Sequence, residues 1–402
     1  MVRRAAPKPD PVRRRAHPPA RTGPAARWNR GGPGAGGGVV IFAFMSLPLI
    51  CFDCEPLRDR HSGFSHFVLP LAEELVRQNH HYRLCCYVPP AEVGALGTRG
   101  VRYLTQRSFH KYFNPPSYRF RLWHTTSQLS WYVPTSPFTK VVLTIHDLNF
   151  LHENPDERTY VRQLAMVRRN IRRADYLVTI SDFVRQDVLR HADLLGYSPT
   201  QPLRYVRRGV EALRPAPDHA PAYAPRRPFL FALGSINAKK NFHVLPALLY
   251  GNDYELVLAG GFAEPEYVAA IEAAAAEHGV ADRVKLLVRV SEADKAWYYA
   301  HCLAYLQPSL AEGFGLPVVE AMQFGKPVFL SRLTSLPEVG GAAARYFEDF
   351  TPAGMARTLA DGLREYRAHP EARAAELRAH AATFSWAQAA ADYLAVYAEL
   401  LG

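Results

Sequence analysis

The chain has 402 residues, of which 48% are hydrophobic and 21% are charged, and its formal net charge is +11. This length predicts two domains, and the hydrophobic fraction is ample for two sizeable cores. Beyond the N-terminal segment no apolar run approaches the ~20 residues of a membrane-spanning helix, so no such helix is expected there.

Most of the positive charge lies in residues 1–44, which hold nine Lys or Arg and one Asp, so that about +3 remains for the rest. This segment is predicted to be a disordered tail, because its Arg, Pro, Gly and Ala bury too little apolar surface to fold. Translation from Met45 is an alternative, in which case the tail is never made. A signal peptide or anchor is less favoured, because no small-x-small cleavage site follows the apolar run that ends at Asp53.

Residues 45–212 are predicted to form an N-terminal Rossmann-like domain. Apolar runs typical of buried parallel strands alternate there with helical patterns, as in doubly wound α/β domains. A helix kinked at Pro70 is expected after Gly63, and a helix with a basic outer face is expected over 160–173. The predicted strands lie near 48–53, 83–88, 141–145 and 176–180.

A segment with five prolines, residues 213–228, is predicted to be an extended linker. Residues 229–384 are predicted to form a second Rossmann-like domain, so that the α/β chain has two doubly wound domains facing across a cleft. A final helix within 385–402 is expected to pack back on the N-terminal domain. The strands predicted in the second half lie at 228–233, 255–259, 284–288, 304–307 and 327–330.

The cysteines indicate a reducing compartment, because five of them without regular spacing favour free thiols over a disulfide framework. A zinc site at Cys51 and Cys54 is not favoured, since strand residues three apart face opposite sides. We therefore expect the protein in the cytoplasm, at most in peripheral association with the inner face of the cytoplasmic membrane.

The most informative segment, residues 311–322, follows a predicted strand and opens a predicted helix. Gly313 and Gly315 permit a tight turn with exposed N–H groups, and a helix N-terminus favours phosphate oxygens. Glu320 is placed in the first turn of that helix, where it would accept bonds from the two vicinal hydroxyls of a ribose. Glu312 would face the group beyond the phosphates. Simple capping of the helix dipole is the alternative interpretation of Glu320.

Two further groups are expected at the carboxyl ends of strands, where doubly wound sheets bind ligands. Lys239 and Lys240 are predicted at a helix start, and because cations there oppose the helix dipole, a resident diphosphate is favoured over a solvated pair. His146 follows the strand 141–145 and is predicted to face the cleft, with a structural hydrogen-bonded histidine as the alternative.

These segments, together with Leu258-Ala259-Gly260-Gly261 and Leu336-Pro337-Glu338-Val339-Gly340, resemble the retaining glycosyltransferases of family 4, which have the GT-B fold. The resemblance spans roughly Leu49 to the C-terminus, and it implies that the domain 45–212 binds the acceptor and that the domain 229–384 binds the nucleotide sugar. It implies transfer of a mannose-like hexose from a nucleoside-diphosphate sugar to a glycan or lipid-linked acceptor in cell-surface polysaccharide synthesis. It also implies retention at the anomeric carbon, no cofactor and no required metal, and the sequence contains no Asp-x-Asp motif.

The resemblance also implies residue roles. Lys240, helped by Lys239, would neutralise the leaving diphosphate, and Glu320 would hold the ribose. Glu312 would orient the transferred sugar, and His146 would contact it near the reaction centre. The remaining donor-binding positions are Gly63 in the loop Ser62-Gly63-Phe64, Ser235, Gly313, Phe314, Gly315 and Leu316.

Other positions match less closely. Trp123-His124 and Ser181-Asp182 are expected only in the walls of the cleft. Ser235 stands where relatives frequently have Arg, so phosphate stabilisation is expected to depend more on the two lysines. Arg208 stands where relatives often have Asn, a departure without an assigned meaning.

Two alternatives stay open. The basic tail allows a nucleic-acid-binding protein, although no basic motif lies within the predicted domains and no nucleic-acid partner is expected. A nucleotide-sugar epimerase or a phosphorylase could use the same fold, but no cofactor-bearing lysine site for a phosphorylase is found in the sequence.

Overall fold

Strands that are buried on both faces form the centre of each half of the chain, as expected for parallel sheets covered by helices. The computed structural model describes residues 47–60, 63–112, 117–152 and 156–402. The predicted tail 1–44, Met45 and Ser62 lie outside these residues.

The N-terminal lobe contains a parallel sheet of seven strands in the order β3-β2-β1-β4-β5-β6-β7. Strand β1 pairs with both β2 and β4, so the strand order reverses at β1, and a crevice forms there at the carboxyl ends of the strands. The strands are β1 Leu49–Asp53, β2 Arg83–Val88, β3 Val101–Thr105, β4 Leu122–Thr125, β5 Lys140–Ile145, β6 Tyr176–Thr179 and β7 Leu203–Tyr205.

The helices of this lobe are α1 Ser65–Gln78, α2 Glu157–Arg173, α3 Asp182–Arg190 and α4 Ala192–Leu195. The α1 segment remains helical through Pro70. Helix α3 begins where the Ser181 side chain accepts a hydrogen bond from the Val184 N–H, which satisfies one of the free donors of the first turn.

The C-terminal lobe contains six parallel strands in the order β10-β9-β8-β11-β12-β13. Its strands are β8 Phe229–Leu233, β9 Glu255–Gly260, β10 Val284–Val288, β11 Ala304–Gln307, β12 Val328–Ser331 and β13 Arg345–Phe347. Its helices are α5 Pro265–Glu277, α6 Glu292–His301, α7 Leu316–Gln323, α8 Leu336–Gly340, α9 Pro352–Ala368 and α10 Pro370–Ala381. The final helix of the chain is α11, Trp386–Leu401.

The proline-rich segment between the sheets lies along the C-terminal lobe. The Tyr223 hydroxyl donates to Glu255 over 2.5 Å, and the Ala222 N–H donates to Asp294 over 2.9 Å. Helix α11 contacts the N-terminal lobe, where the Tyr393 hydroxyl lies 2.9 Å from the Thr144 hydroxyl.

Trp123 and His124 correct one of the sequence predictions. Both side chains are fully buried, and His124 bonds through its two ring nitrogens to Tyr397 at 2.7 Å and Thr144 at 2.8 Å. The prediction that they line the cleft is therefore wrong, because hydrogen bonding within the core satisfies the imidazole as well as a surface position would.

The structure describes all five cysteines and the helices that could have crossed a membrane. All five cysteines are buried, and none of them forms a disulfide. Among the described residues, every helix is too short or too polar to cross a bilayer.

Candidate active site

The loop between β11 and α7 carries Glu312 and is shaped by a serine outside it. The Ser335 hydroxyl lies 2.9 Å from the carbonyl of Glu312 and 3.0 Å from that of Phe314, so both carbonyls point inward. Gly315 directly precedes α7 with a φ of +97°, and a Cβ there would lie 2.8 Å from Leu336. Only glycine fits this turn, and the positive end of the α7 dipole lies beside it, which favours an anion.

Lys240 and Glu312 form an ion pair beside this loop, with Nζ 2.6 Å from Oε1. The Gln307 amide also donates to Oε1 over 2.6 Å, and both members of the pair are largely buried. Burial works to raise the pKa of Glu312, but the charge of Lys240 and its hydrogen bond outweigh it and hold that pKa below its ordinary value. Glu312 is therefore a fixed, ionised group at neutral pH.

The position of the two lysines corrects the sequence interpretation. Lys239 and Lys240 lie at the end of a short 3-10 turn, Ala238–Lys240, and not at the start of a helix. The predicted opposition between a helix dipole and the two cations is therefore wrong, because this turn carries its cations near its carbonyl end, where they are favoured. What holds Lys240 in place is Glu312, together with close packing of its side chain over Gly234.

Glu320 lies deeper than expected. Helix α7 begins at Leu316, so Glu320 is in the second turn and not in the first, and the prediction of a first-turn residue was wrong. Its Oε1 lies 3.0 Å from the Lys295 ammonium, and its Oε2 accepts from the Tyr299 hydroxyl over 2.9 Å. Burial works to lower the pKa of Lys295, but Glu320 outweighs it and raises that pKa. Helix α6 thus supplies a buried partner for each carboxylate oxygen.

The two lobes meet at residues 313–315, called here the glycine turn. A Cβ on Gly313 would lie 2.5 Å from the carbonyl oxygen of His146, so the backbones of the two lobes approach as closely as glycine allows. The Ser181 hydroxyl donates to the Gly313 carbonyl over 2.9 Å. Glu338 accepts from the N–H groups of Asp182 and Phe183 over 2.9 and 3.1 Å, and so caps helix α3 of the opposite lobe.

His146 faces this contact with a neutral ring. Its Nε2 lies 2.7 Å from the carbonyl oxygen of Thr126, which requires the proton on Nε2 and leaves Nδ1 as the accepting nitrogen. The rings of Phe64 and Phe67 pack edge-on against it at 4.8 and 4.6 Å between ring centres. Burial lowers the pKa of His146 to about 3, although the Thr126 bond opposes this shift.

Arg208, the unexplained departure, lies between the lobes. Its guanidinium carbon is 5.7 Å from the ring centre of Phe67, 5.1 Å from that of Phe314 and 5.6 Å from that of Trp386. Across the part of the chain that the structure describes, no carboxylate oxygen lies within 4.0 Å of its guanidinium nitrogens. Burial lowers the pKa of Arg208 to about 10. A buried cation without an anionic partner is costly, which marks Arg208 as a functional candidate.

Two predicted donor positions have open surroundings. A Cβ on Gly63 would meet no heavy atom within 4 Å. Ser235 is exposed and lies between β8 and the 3-10 turn Ala238–Lys240. The structure therefore brings together Glu312, Lys240, Gly313, Phe314, Gly315 and His146. Glu320 contacts none of these through a hydrogen bond and is held by α6 behind the turn.

Comparison with known proteins shows a family likeness in the C-terminal lobe. Residues 219–376 match the family model described as "Glycosyl transferases group 1". This matched part of the chain is therefore similar to the group 1 glycosyl transferases. The matched region begins in the proline-rich segment and contains β8 to β13 together with the glycine turn.

The curated relatives that this chain matches include mannosyltransferases. It is 29% identical over 278 residues to the serotype-specific mannosyltransferase WbdA of Escherichia coli, which covers 62% of this chain and 32% of that protein. It is 31% identical over 255 residues to the MMP alpha-(1->4)-mannosyltransferase of Mycolicibacterium hassiacum, which covers 60% of this chain and 58% of that protein. The chain thus spans about a third of the first relative's length and just over half of the second's.

Solved structures confirm the predicted GT-B fold. Sucrose-phosphate synthase from Thermosynechococcus elongatus superposes with a TM-score of 0.65 at 19% identity, over 88% of this chain and 99% of that one. Anabaena HepE in complex with UDP and glucose superposes with a TM-score of 0.65 at 17% identity, over 87% and 99% of the two chains. At these identities the likeness concerns the fold.

Sequence reasoning missed Lys295, Tyr299 and the capping role of Glu338. Lys295 and Tyr299 lie four residues apart on α6, so both project from one helix face, but the sequence does not show that this face is buried against Glu320. Glu338 was seen in a matching segment, but its partners belong to the other lobe and no local pattern points to them.

Proposed function

We propose that this protein is a group 1 glycosyl transferase that moves a mannose-like hexose from a nucleoside-diphosphate sugar to a glycan or lipid-linked acceptor in cell-surface polysaccharide synthesis. The observation that carries the proposal is the Lys240–Glu312 ion pair beside the glycine turn. It combines a cation and the positive end of α7 for a diphosphate with a fixed carboxylate for sugar hydroxyls. The mannosyltransferase relatives support the choice of sugar.

The proposed reaction retains the configuration of the anomeric carbon. The bond between that carbon and the diphosphate oxygen breaks, and the acceptor hydroxyl forms its bond on the same face. The hydroxyl proton passes to the departing phosphate oxygen, so no protein base is consumed. Stabilising the negative charge on the leaving diphosphate is then the largest contribution that the protein can make. Lys240, Lys239 and the N–H groups of the glycine turn have the charge for it.

The other site residues would position the sugar. Glu312 would accept hydrogen bonds from its hydroxyls, since an ionised carboxylate is a pure acceptor. His146 would accept one more through Nδ1, because its low pKa keeps it neutral at pH 7 and unable to act as an acid. Glu320 would hold the ribose from its fixed place beside Lys295. Contact between the lobes would exclude water and suppress hydrolysis of the donor.

We further propose that the reaction needs no metal and no cofactor, since the lysines supply the positive charge that a metal would otherwise bring. The place of action would be the cytoplasm, at the inner face of the cytoplasmic membrane if the acceptor is lipid-linked. No nucleic acid takes part in this scheme.

Donor binding is tested by thermal unfolding with GDP, UDP and ADP, each with and without EDTA. One nucleoside diphosphate is expected to raise the Tm, because a ligand that binds only the native state stabilises it, and EDTA is expected to leave the shift intact. Transfer is then measured with the matching radiolabelled sugar nucleotide. A protein whose Tm responds to none of the three nucleotides would contradict the proposal.

Lys240→Met tests the central ion pair in the same assays. Removing one charge-stabilising donor is expected to lower kcat by about 10²- to 10³-fold, with most of the nucleotide-induced Tm shift lost. Lys285→Met, which changes an exposed lysine on β10, is the matched control and should behave as wild type. Equal activity of the two variants would remove Lys240 from the proposed reaction centre.

A further inference from the structure

The N-terminal lobe contains a second concave site, away from the glycine turn. It is a cavity of about 700 Å³ at the carboxyl ends of β2 and β3, within the size range of small-molecule sites. Pro89, which follows β2, and Gln106, which follows β3, form part of its wall. The side chains that give it chemistry are those of Arg58, Glu92, Gln106, Arg107 and Phe109.

Gln106 is held in this wall with an unused donor. The residue is 4% exposed, and its Oε1 accepts from the Arg58 guanidinium over 2.7 Å. Its Nε2 is buried and has no hydrogen-bond partner among the described residues. A buried donor without an acceptor is costly, so a ligand or water that reaches this amide would be bound favourably.

The charges around the cavity are almost balanced. Glu92 is 8% exposed and accepts from the Arg60 guanidinium over 2.9 Å, and Glu55 lies 3.5 Å from Arg58. Two carboxylates and three arginines, Arg58, Arg60 and Arg107, thus surround the cavity. They offer both donors and acceptors of hydrogen bonds. Such a mixture matches a neutral ligand rich in hydroxyl groups better than it matches a multiply charged anion.

Phe109 supplies an apolar face on the rim. It lies in the 3-10 turn Ser108–Lys111 and is 53% exposed, so its ring is accessible to a ligand in the cavity. An aromatic ring next to polar groups can cover the apolar face of a sugar ring while the polar groups bind its hydroxyls.

The position of the cavity in the sheet sets its distance from the reaction centre. Strands β1 and β4 lie between β2 and β5, and His146 follows β5. Three strand spacings separate β2 from β5 and four separate β3 from β5, which amounts to about 14 to 19 Å. One sugar unit cannot occupy both places, but successive units of one glycan can.

We propose that this cavity is a distal acceptor subsite, which binds neutral sugar units of a glycan several residues away from the hydroxyl that is glycosylated. The inference rests on the proposed function and adds the acceptor class: an oligosaccharide or polysaccharide chain. A monosaccharide or a short lipid-linked sugar would leave the cavity empty.

The test compares acceptors of different length in wild type and in Phe109→Ala. The probes are α-linked manno-oligosaccharides from mannobiose to mannohexaose, with the sugar nucleotide that stabilises the protein. Wild-type KM is expected to fall as the acceptor lengthens. In Phe109→Ala the KM for mannohexaose should rise about tenfold, which corresponds to about 1.4 kcal/mol, while mannobiose transfer and donor hydrolysis stay unchanged.

Phe138→Ala is the matched control. Phe138 is 80% exposed, and it precedes β5 at the opposite, amino-terminal end of the strands. It should retain the wild-type dependence on acceptor length. Gln106→Leu, which deletes the unpartnered donor, should resemble Phe109→Ala.

The outcomes separate this inference from the proposed function. Donor hydrolysis without transfer to any oligosaccharide, or an equal loss for short and long acceptors in Phe109→Ala, overturns the subsite and leaves the donor site standing. Absence of nucleotide binding and of hydrolysis in wild type overturns the proposed function itself.

Discussion

Where the two lobes meet, the C-terminal lobe pairs its buried charges and the N-terminal lobe keeps its buried titratable groups neutral. In the C-terminal lobe, Lys240 lies 2.6 Å from Glu312, and Lys295 lies 3.0 Å from Glu320. In the second, His146 has a pKa of about 3, because burial disfavours its charged form.

Asp53, at the carboxyl end of β1, follows the same pattern as His146. Burial raises the pKa of Asp53 to about 8, although the N–H of Glu55 donates to it and opposes the shift. At neutral pH His146 and Asp53 are therefore uncharged hydrogen-bonding groups of the N-terminal lobe. The difference suits a charged nucleoside diphosphate on one side and a neutral glycan on the other.

The largest expected effect breaks the pairing in the C-terminal lobe. Glu320→Ala leaves the buried Lys295 without its inner partner and should lower the free energy of unfolding by about 3 kcal/mol, measured in urea. Glu292 is the other partner of Lys295, and its side chain is 65% exposed. Glu292→Ala should therefore lower the free energy of unfolding by less than about 1 kcal/mol. Similar losses in both variants would mean that burial does not distinguish the two carboxylates.

Arg208 is a buried charge in the N-terminal lobe, so it is the exception to the rule that this lobe keeps its buried groups neutral. Replacing Arg208 tests whether this charge serves the ligand. If Arg208 serves as a partner for the diphosphate, Arg208→Leu should weaken binding of the preferred nucleoside diphosphate about tenfold in calorimetry, because a charge-assisted hydrogen bond is lost. Its free energy of unfolding should stay near the wild-type value, since an unpaired buried cation gives way to an apolar side chain.

Arg208→Lys should recover part of the nucleotide affinity. If Arg208 only packs against the rings of Phe67, Phe314 and Trp386, the Leu variant will instead lose stability while nucleotide affinity stays unchanged.

A further expected effect concerns the pH dependence of stability. The folded-state pKa of His146, about 3, lies below its ordinary value of 6.5, so its contribution to stability is complete above about pH 6.5 and is lost as the pH falls toward 3. Between pH 6.5 and 4.5 the free energy of unfolding of the wild type should fall, and His146 contributes at most about 1.4 kcal/mol per pH unit to this fall. Replacing His146 by Gln should remove this contribution.

His124 gives a second contribution of the same sign, because its pKa is also lowered to about 3 by burial. The His146→Gln variant should therefore keep about half of the acid sensitivity that the two histidines cause. Unfolding curves in urea at several pH values measure it, and an unchanged slope would mean that His146 is not buried as a neutral ring.

The sequence by itself determined much of the fold. Long apolar strands such as Val141 to Ile145 and Glu255 to Gly260 are buried on both faces, so composition alone reveals them. The strands that escaped detection are β3, β7 and β13, which lie at sheet edges and carry polar residues, and the four-residue β4, whose buried His124 breaks the apolar pattern.

The local chemistry of the glycine turn was also readable, because a helix start, two glycines and Glu312 are neighbours in the chain. Only the tertiary structure decided which partners each charge received. Lys295 reaches Glu320 from another helix, Glu338 caps a helix of the other lobe, and Arg208 sits among rings from three separate segments. Such contacts depend on how distant surfaces pack, and side-chain packing over long sequence separations leaves no periodic signal in the chain itself.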